Sequence, residues 1–313
     1  MNGAPILVLG GSGFVGRHLV AQLVAEGLRV VVPTRRRERA RHLILLPTVD
    51  VVDADVHDPA ALAMLVRGAA AAINLVGILN ELRPADFDRV HVELPRKLIA
   101  ACQAAGVPRL LHMSALNADP NGPSRYLQTK GEAEALVAAS GLRWTIFRPS
   151  IIVGREDAFL NLFAKLQRLL PVIALAGADA RFQPVGVEDV ARAYLRALED
   201  DATQGQRYAL CGPTVYTLRQ LVAYVGELTG HKRPILALGP GLSRLQAAVL
   251  ERLPGKLMSR DNLASMQRDS ICDCPFPARL GGPPAPLEAI APTYIASTAA
   301  ESRYARMRSQ QGN

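Results

Sequence analysis

Residues 5–16 read PILVLGGSGFVG, a short apolar run followed by glycines at positions 10, 11, 13 and 16. The segment that follows them, RHLVAQLVAEG, continues an amphipathic pattern in which Val15, Leu19, Val20, Leu23 and Val24 recur at helical spacing. Such a junction predicts a strand that ends at Leu9 and turns tightly at Gly10. It also predicts backbone approach to a pyrophosphate at Gly13 and close packing of the next helix at Gly16. The free amides that open this helix would face the anion.

Outward from this loop, apolar runs alternate with helix-period segments. Strands are expected near 5–9, 28–33, 49–53, 71–76, 108–113 and 142–148, with helices over 14–26, 38–46, 59–67, 87–105 and 125–140. Alternation of this kind predicts an α/β fold, a Rossmann-type doubly wound parallel sheet spanning residues 1–153. Beyond FRPSIIVG (147–154) the alternation lapses into a helix near 157–169, the helical GVEDVARAYLRALED, a strand near 206–210 and the helical TLRQLVAYVGELTG. These are assigned to a smaller C-terminal substrate-side lobe, 154–258, interleaved with the sheet. In GLSRLQAAVLERLPGKL, Leu242, Leu245, Val249, Leu250 and Leu253 form an apolar stripe opposite Arg244 and Glu251. The stripe is expected to pack on the smaller lobe, and the helix to stop at Pro254 and Gly255. Residues 259–313 are a proline-rich arm and basic tail. The arm is expected to wrap the lobe or to dock an acidic or membrane-associated partner, with 299–313 mobile.

Composition narrows the function classes. The 313-residue chain carries a formal charge of +8, which suits a phosphorylated ligand, an acidic partner or an anionic membrane face. Nucleic acid is disfavoured, because aromatic residues make up only 5% and no recognition helix or zinc finger is present. No apolar run approaches the roughly 20 residues that cross a bilayer, and the first strand leaves no room for a signal peptide. The expected location is therefore cytoplasmic, possible contact with the inner membrane face being peripheral. The four cysteines, Cys102, Cys211, Cys272 and Cys274, are too few and scattered for a disulfide framework, and no metal site is expected.

Chemistry is suggested by SALNADPNGPSRYLQTK (114–130). Tyr126 and Lys130 share a helix face, where an ammonium favours the phenolate, and Ser114 closes the preceding strand, placed to hydrogen-bond a substrate oxygen. About 20 residues beyond the glycine loop, where an NAD-binding chain carries an acid, this one reads VVVPTRRRERARH. Arg35 and Arg36 there suit a 2'-phosphate, so NADPH or NADP is favoured over NADH.

With GGSGFVG, DADVHD (53–58), NLVG (74–77), the Ser114, Tyr126 and Lys130 set and RPS (148–150), the chain resembles the short-chain dehydrogenase/reductase superfamily, in its extended or atypical branch. More narrowly, AINLVGIL, RLLHMSALNADPNGPSRYLQTKGEAEALV, WTIFRPSIIVGREDAFLNLFAKLQRLLP and RFQPVGVEDVA resemble the NAD(P)H-binding accessory subunits of respiratory complex I and their bacterial relatives. The resemblance implies that Gly10, Ser12, Gly13, Phe14, Val15 and Gly16 line the pyrophosphate, and that Asp55 and Val56 border the adenine. It puts Leu75, Val76 and Gly77 at the adjacent ribose, Lys130 at the nicotinamide ribose, and Pro149 and Ile151 near the ring. His91 stands where superfamily enzymes often carry an asparagine, and relays a proton or satisfies a local hydrogen bond. The leading expectation is an NADP(H)-binding reductase-like protein whose nucleotide is structural or sensing, associated with a respiratory complex or quinone-linked machinery. The alternatives are an active NADPH-dependent reductase or epimerase on a small hydrophobic or sugar-nucleotide substrate, and a redox-sensing regulatory module.

Overall fold

Strand β1 (Ile6–Leu9) is buried at every position, as a strand covered on both faces by helices must be. In the computed structural model, which describes residues 3–253 and 256–296, it lies inside a seven-stranded sheet. In chain order the next strands are β2 (Val30–Thr34), β3 (Val49–Asp53), β4 (Ala71–Asn74), β5 (Arg109–Met113) and β6 (Arg143–Pro149), and the seventh is Gln206–Leu210. All pair in parallel, in the spatial order Gln206–Leu210, β6, β5, β4, β1, β2, β3. The chain winds outward in opposite directions from β1 and β4, so a crevice opens at the ends of these two strands. This is the expected doubly wound fold.

Helices α1 (Phe14–Ala25), α2 (Arg41–Ile44), α3 (Pro59–Leu65), α4 (Leu94–Ala105) and α5 (Arg125–Ala138) connect the strands. Their boundaries have local causes. Asp58 caps α3 by accepting from the amides of Ala60 and Ala61, and Pro59 sits at its first position. Gly106, in the left-handed region at φ 68°, ends α4 where AAGVPR predicts a stop. Just before α4 the backbone from Asp88 to Glu93 is π-helical, and this widened turn carries His91 inward, where it is 1% exposed.

The chain forms two units. The first takes residues up to 149 together with 187–210 and 276–283; the second takes 150–186, 211–275 and, of the described residues, 284–296. Helix Val187–Glu199 and strand Gln206–Leu210, expected in the smaller lobe, thus belong to the first unit. Gln206–Leu210 pairs along its whole length with Thr145–Pro149, and Glu188 at the start of the helix binds His18 and Gln22 of α1 at 2.6 and 2.9 Å.

The second unit has its own core, built around Val153, Leu160, Leu221, Val222 and Val225. Leu287, Ala291, Tyr294 and Ile295 of the arm are buried in that core, and Tyr294 donates to the Asp157 carboxylate at 2.5 Å. Earlier in the arm, Leu280 is buried in the first unit and Arg279 pairs with Asp200. The described arm is therefore folded onto its own chain. The expectation of mobility for 299–313 falls outside the described residues, while the helix expected to run to Pro254 ends earlier, at Leu250.

Two expectations are corrected. Cys211 and Cys272, 61 residues apart, form a disulfide in the second unit, leaving Cys102 and Cys274 as thiols. The spacing of the cysteines hides this, because Gln183 gathers the two segments, donating to Gly212 O at 2.7 Å and accepting from the Cys272 amide at 2.8 Å. The apolar stripe of helix Pro240–Leu250 does not pack inward either. Its small face does: Ser243 is 4% exposed and Ala247 fully buried, whereas Leu242 and Leu245 are 59% and 61% exposed. Short side chains let the helix approach the Ile173–Leu175 strand closely enough for Gln246 to donate to Ala174 O at 2.8 Å.

Candidate functional site

The glycine loop leaves β1 at the crevice. Gly10 holds φ +80°, and a Cβ there would stand 3.1 Å from the Leu75 carbonyl carbon, so the loop lies directly against the end of β4. A Cβ on Gly16 would fall 2.2 Å from Gly10 O and 2.5 Å from Gly11 Cα, both backbone, so only glycine allows α1 to start this close to the strand. Gly13 caps α1 without any side-chain hydrogen bond and no acidic residue lies in its first turn, whereas α3 and α5 are capped by Asp58 and Ser124. The first amides of α1 are thus left for an external acceptor, at the positive end of the helix dipole. The cradle fits a pyrophosphate.

Beyond β2, Arg35 and Arg36 are exposed, and the Thr34 hydroxyl, 3.2 Å from both the Arg36 amide and its carbonyl, fixes the turn between them. Asp53, at the end of β3, is in register with Thr34, so one carboxylate flanks the two arginines. Asp55 accepts from the His57 amide at 3.0 Å, and Val56 packs against the first unit's core. At the end of β4, Asn74 accepts from the Val76 amide at 3.2 Å and donates to His112 Nδ1 at 3.2 Å, which pins Leu75 and Val76 against the glycine loop.

Ser114, Tyr126 and Lys130 follow β5. Lys130 is 4% exposed and donates to Met113 O at 3.1 Å; burial pushes its pKa down to about 8, against Glu134, which pulls it up. Ser114, 3% exposed, has a buried hydroxyl without a partner. Tyr126 stands in the first turn of α5 with its ring edge-on to Phe87 and His91, at 6.0 and 5.6 Å. Gly77 opens the space above: a Cβ there would lie 3.1 Å from Lys130 Nζ and 3.7 Å from His91 Nε2. His91 is held at both nitrogens. The Ile78 amide donates to Nε2 at 3.1 Å, and Nδ1 lies 3.0 Å from the Thr129 hydroxyl, whose own proton goes to the backbone of α5. The tautomer is therefore Nδ1–H. Burial, with Lys130 beside it, pushes the ring down to about 2 and keeps it neutral.

Residues 10–201, which contain this cradle and the Ser114, Tyr126 and Lys130 set, match the family model described as NAD(P)H-binding. The chain belongs to the NAD(P)H-binding family. Among curated proteins, this family member is 36% identical over 237 residues to the mitochondrial NADH dehydrogenase (ubiquinone) 1 alpha subcomplex subunit 9 of Arabidopsis thaliana, over 73% of this chain and 58% of that protein. It is 35% identical to the Mus musculus subunit of the same name, over 73% of this chain and 62% of that one. The chain thus spans about three fifths of the length of these relatives. Among solved structures, the dTDP-glucose 4,6-dehydratase of Streptomyces venezuelae, with NAD and TYD bound, superposes with a TM-score of 0.74 at 20% identity, over 93% of this chain and 95% of that one. That likeness carries the fold.

In this NAD(P)H-binding chain, the first unit gathers the residues expected at the pyrophosphate with Leu75 and Val76, and Gly77 with Lys130. Pro149 closes β6 and its carbonyl accepts from the Leu116 amide at 3.0 Å, while Ile151 belongs to the second unit and packs on that unit's core. Sequence reading missed Asn74, His112, Thr129 and Glu134. Asn74 and His112 interrupt the apolar runs of β4 and β5, and a buried polar residue inside a strand is the signal that marks them.

Proposed function

We propose that this chain holds NADPH, in preference to NADH, as a nucleotide-binding subunit of respiratory NADH:quinone machinery. The cofactor preference is carried by one observation, two exposed arginines at the end of β2 beside a glycine cradle fitted to a pyrophosphate. Guanidinium groups there complement a 2'-phosphate. The respiratory assignment is supported by relatives that are subunits of NADH dehydrogenase. A bound nicotinamide would supply a hydride donor or acceptor. The chain's own contribution is to hold the pyrophosphate on α1 and to present the Lys130 ammonium to a ribose.

Calorimetry tests the preference. NADPH should bind more tightly than NADH, and Arg35→Ala with Arg36→Ala should remove that difference, worth about 1–3 kcal/mol for charge-assisted hydrogen bonds. Equal affinities for the two nucleotides overturn it. The partner is tested by native electrophoresis of membranes, in which the chain should co-migrate with NADH:quinone oxidoreductase activity.

A second reading, an active reductase, is favoured by the partnerless Ser114 hydroxyl beside Lys130, since a buried unsatisfied hydroxyl is what a substrate oxygen would complete. Turnover of a carbonyl substrate that disappears in Tyr126→Phe would establish it.

A further inference from the structure

We infer that the exposed leucine face of helix Pro240–Leu250 seats the second unit on an anionic phospholipid bilayer. Single exposed apolar side chains are ordinary on protein surfaces, but here they recur on one face. Leu242, Leu245 and Val249 are 59%, 61% and 48% exposed, and Leu253 and Leu257, 47% and 43% exposed, follow them along the chain. The opposite face is occupied by the helix's own unit, through Ser243, Ala247 and the Gln246 bond to Ala174 O. The outward face is thus the one available to something else.

Charge selects the occupant. Between residues 240 and 260 the chain carries Arg244, Arg252, Lys256 and Arg260 against one carboxylate, Glu251. That carboxylate is engaged by Arg260 at 2.7 Å. Arg252, next to Leu253, is exposed, and a long basic side chain there can lay its apolar stem along the leucines while its guanidinium reaches phosphate. A second copy apposed through this face would set a net positive segment against its own counterpart. A protein groove is less favoured too, because interface centres are anchored by aromatic side chains and residues 240–260 contain none. Among the described residues no helix is long and apolar enough to cross a membrane, and this one has 11 residues, so it would lie in the interfacial plane.

The test uses the full chain in flotation with vesicles of phosphatidylcholine alone or mixed with phosphatidylglycerol. Wild type should float with the mixed vesicles, weakly or not at all with the neutral ones, and less as salt is raised. Leu245→Ser with Val249→Ser should lose about tenfold or more of this partitioning, because apolar insertion is removed with no change of charge. Both positions are solvent-facing, so circular dichroism and the thermal midpoint should be unchanged. Arg252→Gln should reduce the salt-sensitive part. Failure of wild type to float with mixed vesicles overturns the inference, as does equal flotation of the double variant, which would mean adsorption by net charge alone. A dimer that the double variant dissolves, in protein that ignores vesicles, overturns it in favour of a second copy.

Discussion

At Gly16 the contact that forbids a side chain is entirely backbone, Gly10 O at 2.2 Å and Gly11 Cα at 2.5 Å from where a Cβ would sit. Gly16→Ala should therefore push α1 off the loop, lowering stability by about 1–3 kcal/mol and removing measurable nucleotide binding, as read by denaturant unfolding and calorimetry. Gly77→Ala provides the contrast. There the nearest atom is Lys130 Nζ, the end of a flexible side chain, so the fold should survive and the ribose contact should suffer. Gly16 was legible in the spacing of GGSGFVG, whereas Gly77 entered only through the family resemblance that NLVG carries. Thr129 was not legible, for a threonine inside a helix looks like any other until His91 is found 3.0 Å from its hydroxyl.

The helix α5 is tied to the edge of its sheet by one carboxylate. Glu134, 3% exposed, accepts two hydrogen bonds from Arg148 of β6 and one from Arg207 of the seventh strand, and Arg207 lies over the Trp144 ring at 5.1 Å. Glu134→Gln should cost about 1–3 kcal/mol, discounted because both arginines retain solvent contact. It should also let the Lys130 pKa fall below its present value of about 8, since Glu134 is the group that pulls it up. Nucleotide affinity that depends on the ammonium should then begin to fail at a lower pH than in wild type, which a pH series of titrations would read. Periodicity and punctuation revealed the strands, the helices and the stop at Gly106. Periodicity does not say which face of a helix is covered. In Pro240–Leu250 a rule that buries leucines gives the wrong side, because the alanine and serine face fits closer to the neighbouring strand.

For the molecule as a whole, acid stability follows from two buried imidazoles. Burial pushes His91 down to about 2 and His112 down to about 3 in the fold, while the unfolded chain binds a proton at each near the ordinary 6.5. Above pH 6.5 neither state carries these protons and the two sites contribute no pH dependence. As pH falls below 6.5 the unfolded state takes up protons that the native state refuses, so stability declines by about 1.4 kcal/mol per unit for each histidine. The decline continues until the native rings titrate near 2 and 3. Urea midpoints at pH 7 and 5.5 should show the loss, and His91→Asn should remove its share. The sequence told little of this, because a histidine's neighbours come from α5, β4 and β5 at once.

The chain's passage between its two units has a consequence for how the protein is made. It leaves the first unit after 149, returns for 187–210, leaves again and returns for 276–283. The nucleotide-binding half is therefore unfinished on the ribosome until residues 276–283 have emerged, and the nascent sheet waits with β6 as an open edge until Gln206–Leu210 arrives. For the same reason that half is not a portable cassette. A recombination that transplanted residues 1–153 alone would carry the phosphate loop without the strand, the helix and the arm segment that complete its fold.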